Sequence, residues 1–164
     1  MALFPKIILP AMLFVCCAGM VHADDEQVPA FGPLPISEFE LTDFHGSVVL
    51  MDFWASWCKP CAQALPWLNA MQLKYKEKGL QVVMINLDKD AKAAAKISSE
   101  IDPGIRQFLD PAGELAAQYK LEGMPSSFLY DRSGELLSRH VGFLKADGPK
   151  REKAIEEALE SEEP

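Results

Sequence analysis

Cys58 and Cys61 lie in Trp57-Cys58-Lys59-Pro60-Cys61, directly after the apolar run Val48-Val49-Leu50-Met51-Asp52-Phe53-Trp54. That spacing puts a C-x-x-C pair where a buried strand ends and a helix begins. A helix start presents unpaired backbone N–H groups and a partial positive charge, and both favour a thiolate. The thiolate is the reactive form of cysteine. Cys58, nearest the helix start and solvent, reads as the nucleophile. Cys61, one turn further on, reads as the thiol that resolves a mixed disulfide. The chemistry this implies is dithiol/disulfide exchange through a Cys58–Cys61 bridge.

The neighbours of the pair fit that chemistry. Asp52 is an ionisable residue in an otherwise apolar strand. Buried near two sulfurs, its carboxyl would titrate above the usual range and carry the proton to and from Cys61. Lys59, between the thiols, reads either as a charge that favours the Cys58 thiolate or as a solvated surface lysine. Pro60 stiffens the turn and suits a first helical position. Trp57 reads as a partly exposed contact beside the site, and Trp54 as core. A zinc site takes four ligands. Cys58 and Cys61 with His45 and His140 at unrelated spacings do not supply them, so no metal is expected, and the exchange needs no organic cofactor. His45 and His140 read as turn and surface residues.

The N-terminus reads as an export signal. Lys6 supplies one positive charge, Ile7 to Val21 are apolar or small, and Val21-His22-Ala23 precedes Asp24-Asp25-Glu26. The pattern predicts cleavage after Ala23. The apolar stretch is shorter than the roughly 20 residues of a membrane span. An uncleaved anchor, or lipid attachment at Cys16 or Cys17, is the alternative, and only these would bring membrane contact. Removal of 1–23 leaves Cys58 and Cys61 as the two remaining cysteines of four, which excludes a disulfide-dense scaffold. It also takes away one lysine and no acid, moving the net charge from −8 to −9. So acidic a body argues against nucleic acid and anionic membrane surfaces as partners.

The rest of the chain places these residues. Residues 24–38, with Pro29, Pro33 and Pro35, read as an extended leader, and residues 39–164 as one domain. Phe39 to Asp43 alternates like a short strand or its approach. Val48–Trp54 and Leu80–Leu87 read as strands buried on both faces. Between them Pro60–Lys78 is a helix, kinked at Pro66 and stopped at Gly79. The result is a right-handed βαβ crossover. Helices are expected at 90–101, 113–121 and 150–160, with Ile155, Ala158 and Leu159 inward on the last. A short strand is expected at 105–109. Ser126–Tyr130 and Leu136–Val141 flank a hairpin turn with Gly134. The fold class is α/β, a mixed central sheet flanked by helices with the C-x-x-C after a central strand.

The segment from Met51 to Cys61 resembles the thioredoxin active-site segment. With Phe39–Gly46, Leu65-Pro66 and Phe128-Leu129-Tyr130-Asp131-Arg132-Ser133-Gly134, the chain is similar to exported thiol:disulfide interchange proteins of the TlpA/ResA type, over about residues 39 to 143. The resemblance implies a thioredoxin-like sandwich. It also implies a cis proline at Met124-Pro125 opposite the C-x-x-C, where the Met124 backbone pairs with an extended substrate. Asp52 matches the buried Asp of thioredoxins. The chain departs from the family in its Pro-rich start, where a longer hairpin is usual. It departs again at Asp88-Lys89, near which members serving cytochrome c maturation carry a Glu.

The expected activity is reduction of protein disulfides in the periplasm, recharged by a membrane thiol donor of the DsbD type. Two alternatives stand beside it: a net oxidase or isomerase of the same fold, and a non-enzymatic binding or chaperone module whose bridge is structural. A peroxidase of the peroxiredoxin type is disfavoured, because no P-x-x-x-T-x-x-C segment is present.

Overall fold

A computed structural model describes residues 33–161. The expectations for residues 1–23, including cleavage after Ala23 and lipidation at Cys16 or Cys17, lie outside these residues, as does most of the Pro-rich leader.

Strands β1 (Leu34–Pro35), β2 (Val48–Trp54), β3 (Leu80–Asn86), β4 (Arg106–Leu109), β5 (Ser126–Tyr130) and β6 (Leu136–Val141) form one sheet in the order β1-β4-β3-β2-β5-β6. The pairs β1/β4, β4/β3 and β3/β2 are parallel, and β2/β5 and β5/β6 are antiparallel. The helices are α1 (Lys59–Tyr75), α2 (Ala91–Ser98), α3 (Glu114–Gln118) and α4 (Gly148–Glu160). This is the mixed sheet flanked by helices that the sequence predicts.

Strand β2 is the middle of the sheet, and every residue in it is buried. Side chains alternate across a strand. Val48, Leu50 and Trp54 therefore share one face with Asp52, while Val49, Met51 and Phe53 take the other. The first face packs under Cys61, Leu65 and Leu68 of α1 and Ile155 and Ala158 of α4. The second packs on Phe39, Phe44, Phe108 and Phe128. Burial on both sides is why β2 reads as an unbroken apolar run rather than an alternating one.

Helix α1 continues unbroken across Pro66 to Tyr75, followed by a 3-10 turn over Lys76–Lys78. Gly79 stops it with φ 95°. A Cβ there would lie 2.7 Å from Nη1 of Arg132. Arg132, from the β5–β6 turn, donates to the carbonyls of Gly46 (2.8 Å) and Lys78 (3.0 Å). One guanidinium thus ties three turns at the end of β2 remote from the cysteines.

The structure differs from the sequence reading at several points. Leu41–Phe44 is a 3-10 turn and not a strand. The alternation of Phe39 and Leu41 is a coincidence of local packing: the turn folds Phe39 and Phe44 under the same sheet face, with ring centroids 6.1 Å apart. Leu34–Pro35, read as leader, is extended but hydrogen-bonded as the edge strand beside β4, and Leu34 and Ile36 pack on the core. Helix α2 ends at Ser98, short of the expected 101, since Ile101 and Ile105 turn into the core instead. Helix α3 is also shorter than expected. Its first N–H groups are held by the fully buried Asp110, whose carboxylate accepts those of Glu114 (2.8 Å) and Ala116 (3.0 Å).

Candidate active site

Cys58 is the N-cap of α1, in an extended conformation (φ −89°, ψ 98°). Its Sγ accepts the backbone N–H of Cys61 at 3.3 Å. Cys58 and Cys61 form a disulfide, with Cα atoms 5.3 Å apart. Pro60 lies in the first helical turn, where its missing N–H costs nothing. In this closed state Cys58 is not the solvent-facing member: it is 4% exposed and Cys61 3%. Both belong to the core cluster with Trp54 and Ala55, against which Met124 packs. What distinguishes Cys58 is therefore the helix N–H on its sulfur, not greater exposure. The exposed rim is Trp57 at 68% and Lys59 beside it.

Asp52 is 1% exposed and sits on the cysteine-bearing face of the sheet. It pairs across the sheet with Ser127, whose hydroxyl donates to Oδ2 at 2.5 Å. Burial pushes the carboxyl from 3.8 up to about 7, although the Ser127 hydrogen bond and the Arg151 charge pull the other way. A carboxyl poised near neutrality is suited to accept and return a proton.

Of these partners, Ser127 carries no sequence signal of its own and Arg151 only a weak one. Ser127 is one polar residue in a short strand, and only the β2/β5 register puts it opposite Asp52. Arg151 lies on α4 four residues before the inward Ile155, which is the spacing of one helix face. It is 7% exposed. His140, read as a surface residue, is half-buried on β6 in register with Ser127. Burial and the Arg151 charge hold its ring below the usual histidine range.

The loop before Cys58 has its own anchor. Asp88, 5% exposed, accepts the N–H of Ser56 at 2.8 Å, its hydroxyl at 2.7 Å and the side-chain amide of Asn86 at 2.7 Å. The residue that marked a departure from the family thus fastens the Ser56-Trp57-Cys58 turn to the end of β3.

Met124–Pro125 is cis. The register pairs Ser126 with Phe53, so Pro125 lies at the β2 end that leads to Cys58. The carbonyl of Pro125 accepts the N–H of Gly142 at 2.7 Å. Val141 and Leu144, 48% and 67% exposed, extend the apolar rim. A groove of about 480 Å³ runs between them and Lys59, Pro60 and Gln63. Among the described residues no cluster of three or more His, Cys, Asp or Glu is placed to hold a metal.

The family profile described as Redoxin matches residues 23–159. The chain belongs to the redoxin family. Among redoxin relatives, it is 33% identical over 105 residues to a thiol-disulfide oxidoreductase ResA of Bacillus thuringiensis subsp. konkukian, covering 64% of this chain and 61% of that protein. The ResA of Oceanobacillus iheyensis is 28% identical over 152 residues, covering 86% of this chain and 79% of that one. A crystal structure of a candidate thiol:disulfide interchange protein DsbE from Chlorobium tepidum is 48% identical, with a TM-score of 0.70, covering 74% of this chain and 86% of that one. The thioredoxin-like fold and the TlpA/ResA-type resemblance are both borne out by these likenesses.

Proposed function

We propose that the chain is an exported thiol:disulfide oxidoreductase that reduces protein disulfides through Cys58 and Cys61. The Cys58 thiolate attacks one sulfur of a substrate disulfide and expels the other as a thiolate. Asp52 takes the proton from Cys61. The Cys61 thiolate then attacks Cys58 Sγ, the mixed disulfide breaks, and the second substrate thiolate leaves. Two electrons pass to the substrate and the Cys58–Cys61 bond closes. The observation that carries this reading is the bridge at the N-terminus of α1 on the sheet face that holds a buried carboxyl raised to about 7. Lys59 and Pro60 shape the turn, Trp57 offers an apolar contact, and the Met124-Pro125 backbone receives the substrate as a short strand. The ResA and DsbE likenesses support the same chemistry.

Export rests on residues 1–23, with a mature periplasmic chain starting at Asp24. A reductant outside the cytoplasm needs recharging, and a membrane dithiol protein of the DsbD type is the donor this chemistry calls for. The test is reduction of a protein disulfide such as that of insulin, with a dithiol donor, by the wild type and Cys58→Ser. The wild type accelerates reduction and Cys58→Ser falls to background; retained activity in the variant overturns the reading. Redox titration fixes the direction. A potential near about −270 mV supports a reductant, and one near about −120 mV makes the protein an oxidase.

A further inference from the structure

We propose that Arg151 is a positioning residue of the exchange reaction, linking the buried Asp52 carboxyl to the Pro125 backbone through Gly142. The inference rests on the thiol-exchange reading above.

Arg151 is a charged residue in the core, and a buried charge is costly unless something holds it. Three contacts do so. Nη2 donates to the Gly142 carbonyl at 2.7 Å. Nη1 lies 3.5 Å from Ser127 Oγ, the hydroxyl that donates to Asp52. The guanidinium carbon stands 5.5 Å from the Phe143 ring centroid. Two buried polar atoms remain unpartnered beside that hydroxyl, Asp52 Oδ1 and Arg151 Nε. The two groups bear opposite charges, and each acts on the other.

Gly142 is the relay. Its carbonyl accepts from Arg151 while its N–H donates to the carbonyl of Pro125. It does so at φ 78°, a conformation that favours glycine. One chain of polar contacts thus runs Asp52, Ser127, Arg151, Gly142, Pro125. A proton arriving at Asp52 removes the negative charge that acts on Arg151, and the Gly142 carbonyl is then the strongest of the contacts left to hold the guanidinium. The charged or titratable groups that act on this chain are Arg151 and Lys150 from α4 and His140 from β6, and the Cys58–Cys61 bridge belongs to the core cluster on the Asp52 face. Asp147, just before α4, acts on Arg151 as well.

The test compares wild type with Arg151→Gln and Arg151→Lys. Carboxyl NMR follows Asp52 in the oxidised protein, and steady-state kinetics give KM and kcat for a protein disulfide against pH. Arg151→Gln should move the Asp52 midpoint up by about one pH unit, as loss of a nearby opposite charge does, and should raise KM severalfold. Arg151→Lys should keep the midpoint near the wild-type value while KM stays raised, because the charge survives and the Gly142 contact does not. A folded Arg151→Gln with wild-type midpoint and KM overturns the inference. If Arg151→Gln does not fold, Arg151→Lys carries the test alone, and an unchanged KM there overturns it. Loss of activity in Cys58→Ser beside unaltered Arg151 variants leaves the exchange reading standing while this inference falls. A wild type without exchange activity removes both.

Discussion

The backbone N–H of Cys61 points at Sγ of Cys58 across 3.3 Å, so the second cysteine of the pair supplies the hydrogen bond that favours charge on the first. The two residues are therefore not interchangeable, although both are buried to almost the same degree. On reduction, Cys58 is the sulfur with a helix donor to stabilise its anion. In the proposed mechanism it attacks, and Cys61 resolves.

Cys61→Ala should therefore stop the reaction half-way. Cys58 still attacks, nothing displaces it, and a covalent adduct with the substrate accumulates while turnover falls to background. Non-reducing electrophoresis with mass analysis reads the adduct. Cys58→Ala should give none. Adduct formation by Cys58→Ala, and not by Cys61→Ala, would reverse the assignment.

Asp52 carries a cost in stability with a definite sign. Its carboxyl titrates near 3.8 when unfolded and at about 7 when folded. Between these values the unfolded chain has lost a proton that the folded one keeps. Stability attributable to Asp52 is full below the lower value, falls as pH rises through the window, and is flat above it, a loss on the order of 4 kcal/mol. Asp52→Asn should be more stable than wild type at about pH 8 and lose most of that advantage at about pH 4. Urea midpoints at the two pH values measure this. His140 acts with the opposite sign below its usual range, so the comparison is between the two proteins at each pH. The same variant should slow closure of the Cys58–Cys61 bond by about a hundredfold, the scale of a lost general base.

Asp88 should matter for the shape of the site rather than for proton transfer. Asp88→Ala strands the buried Asn86 amide and the half-buried Ser56 N–H and hydroxyl. The expected cost is about 2–4 kcal/mol, seen as a lower urea midpoint with unchanged slope. Ser56→Ala removes one of those bonds and leaves the backbone one, so it should cost about 1 kcal/mol. A neutral Asp88→Ala would show that the loop before Cys58 holds itself.

Local signals make much of this legible in the chain of residues itself. The apolar run Val48–Trp54 and the W-C-x-P-C turn after it state a buried strand, a helix start and a reactive pair in consecutive residues. The hairpin around Gly134 is equally local, and its strands fall at the expected residues. Registers are not local. Nothing near Ser127 says that it faces Asp52; that follows from β5 pairing antiparallel with β2. Arg151 hides among the charges of an acidic helix, and only its four-residue step to Ile155 betrays a place on the inner face. Phe39 to Asp43 misleads because one two-residue step, Phe39 to Leu41, is too short to fix a period, and the 3-10 turn that follows buries Phe44 and not Asp43.

Trp57 separates binding from folding. It is 68% exposed beside the disulfide and belongs to neither core cluster. An exposed side chain contributes little to stability, so Trp57→Ala should leave the urea midpoint within about 0.5 kcal/mol of wild type. Beside the sulfur that a partner must reach, Trp57 would lie near the centre of the contact, where Trp is among the residues that carry most of the binding energy. KM for a protein disulfide should therefore rise about tenfold or more, the effect of losing roughly 1.4 kcal/mol or more of contact. Reduction of a small disulfide such as oxidised glutathione, which does not span the rim to Val141 and Leu144, should change far less. Equal losses on the two substrates would mean that Trp57 acts on the sulfur chemistry itself and not on the partner's surface.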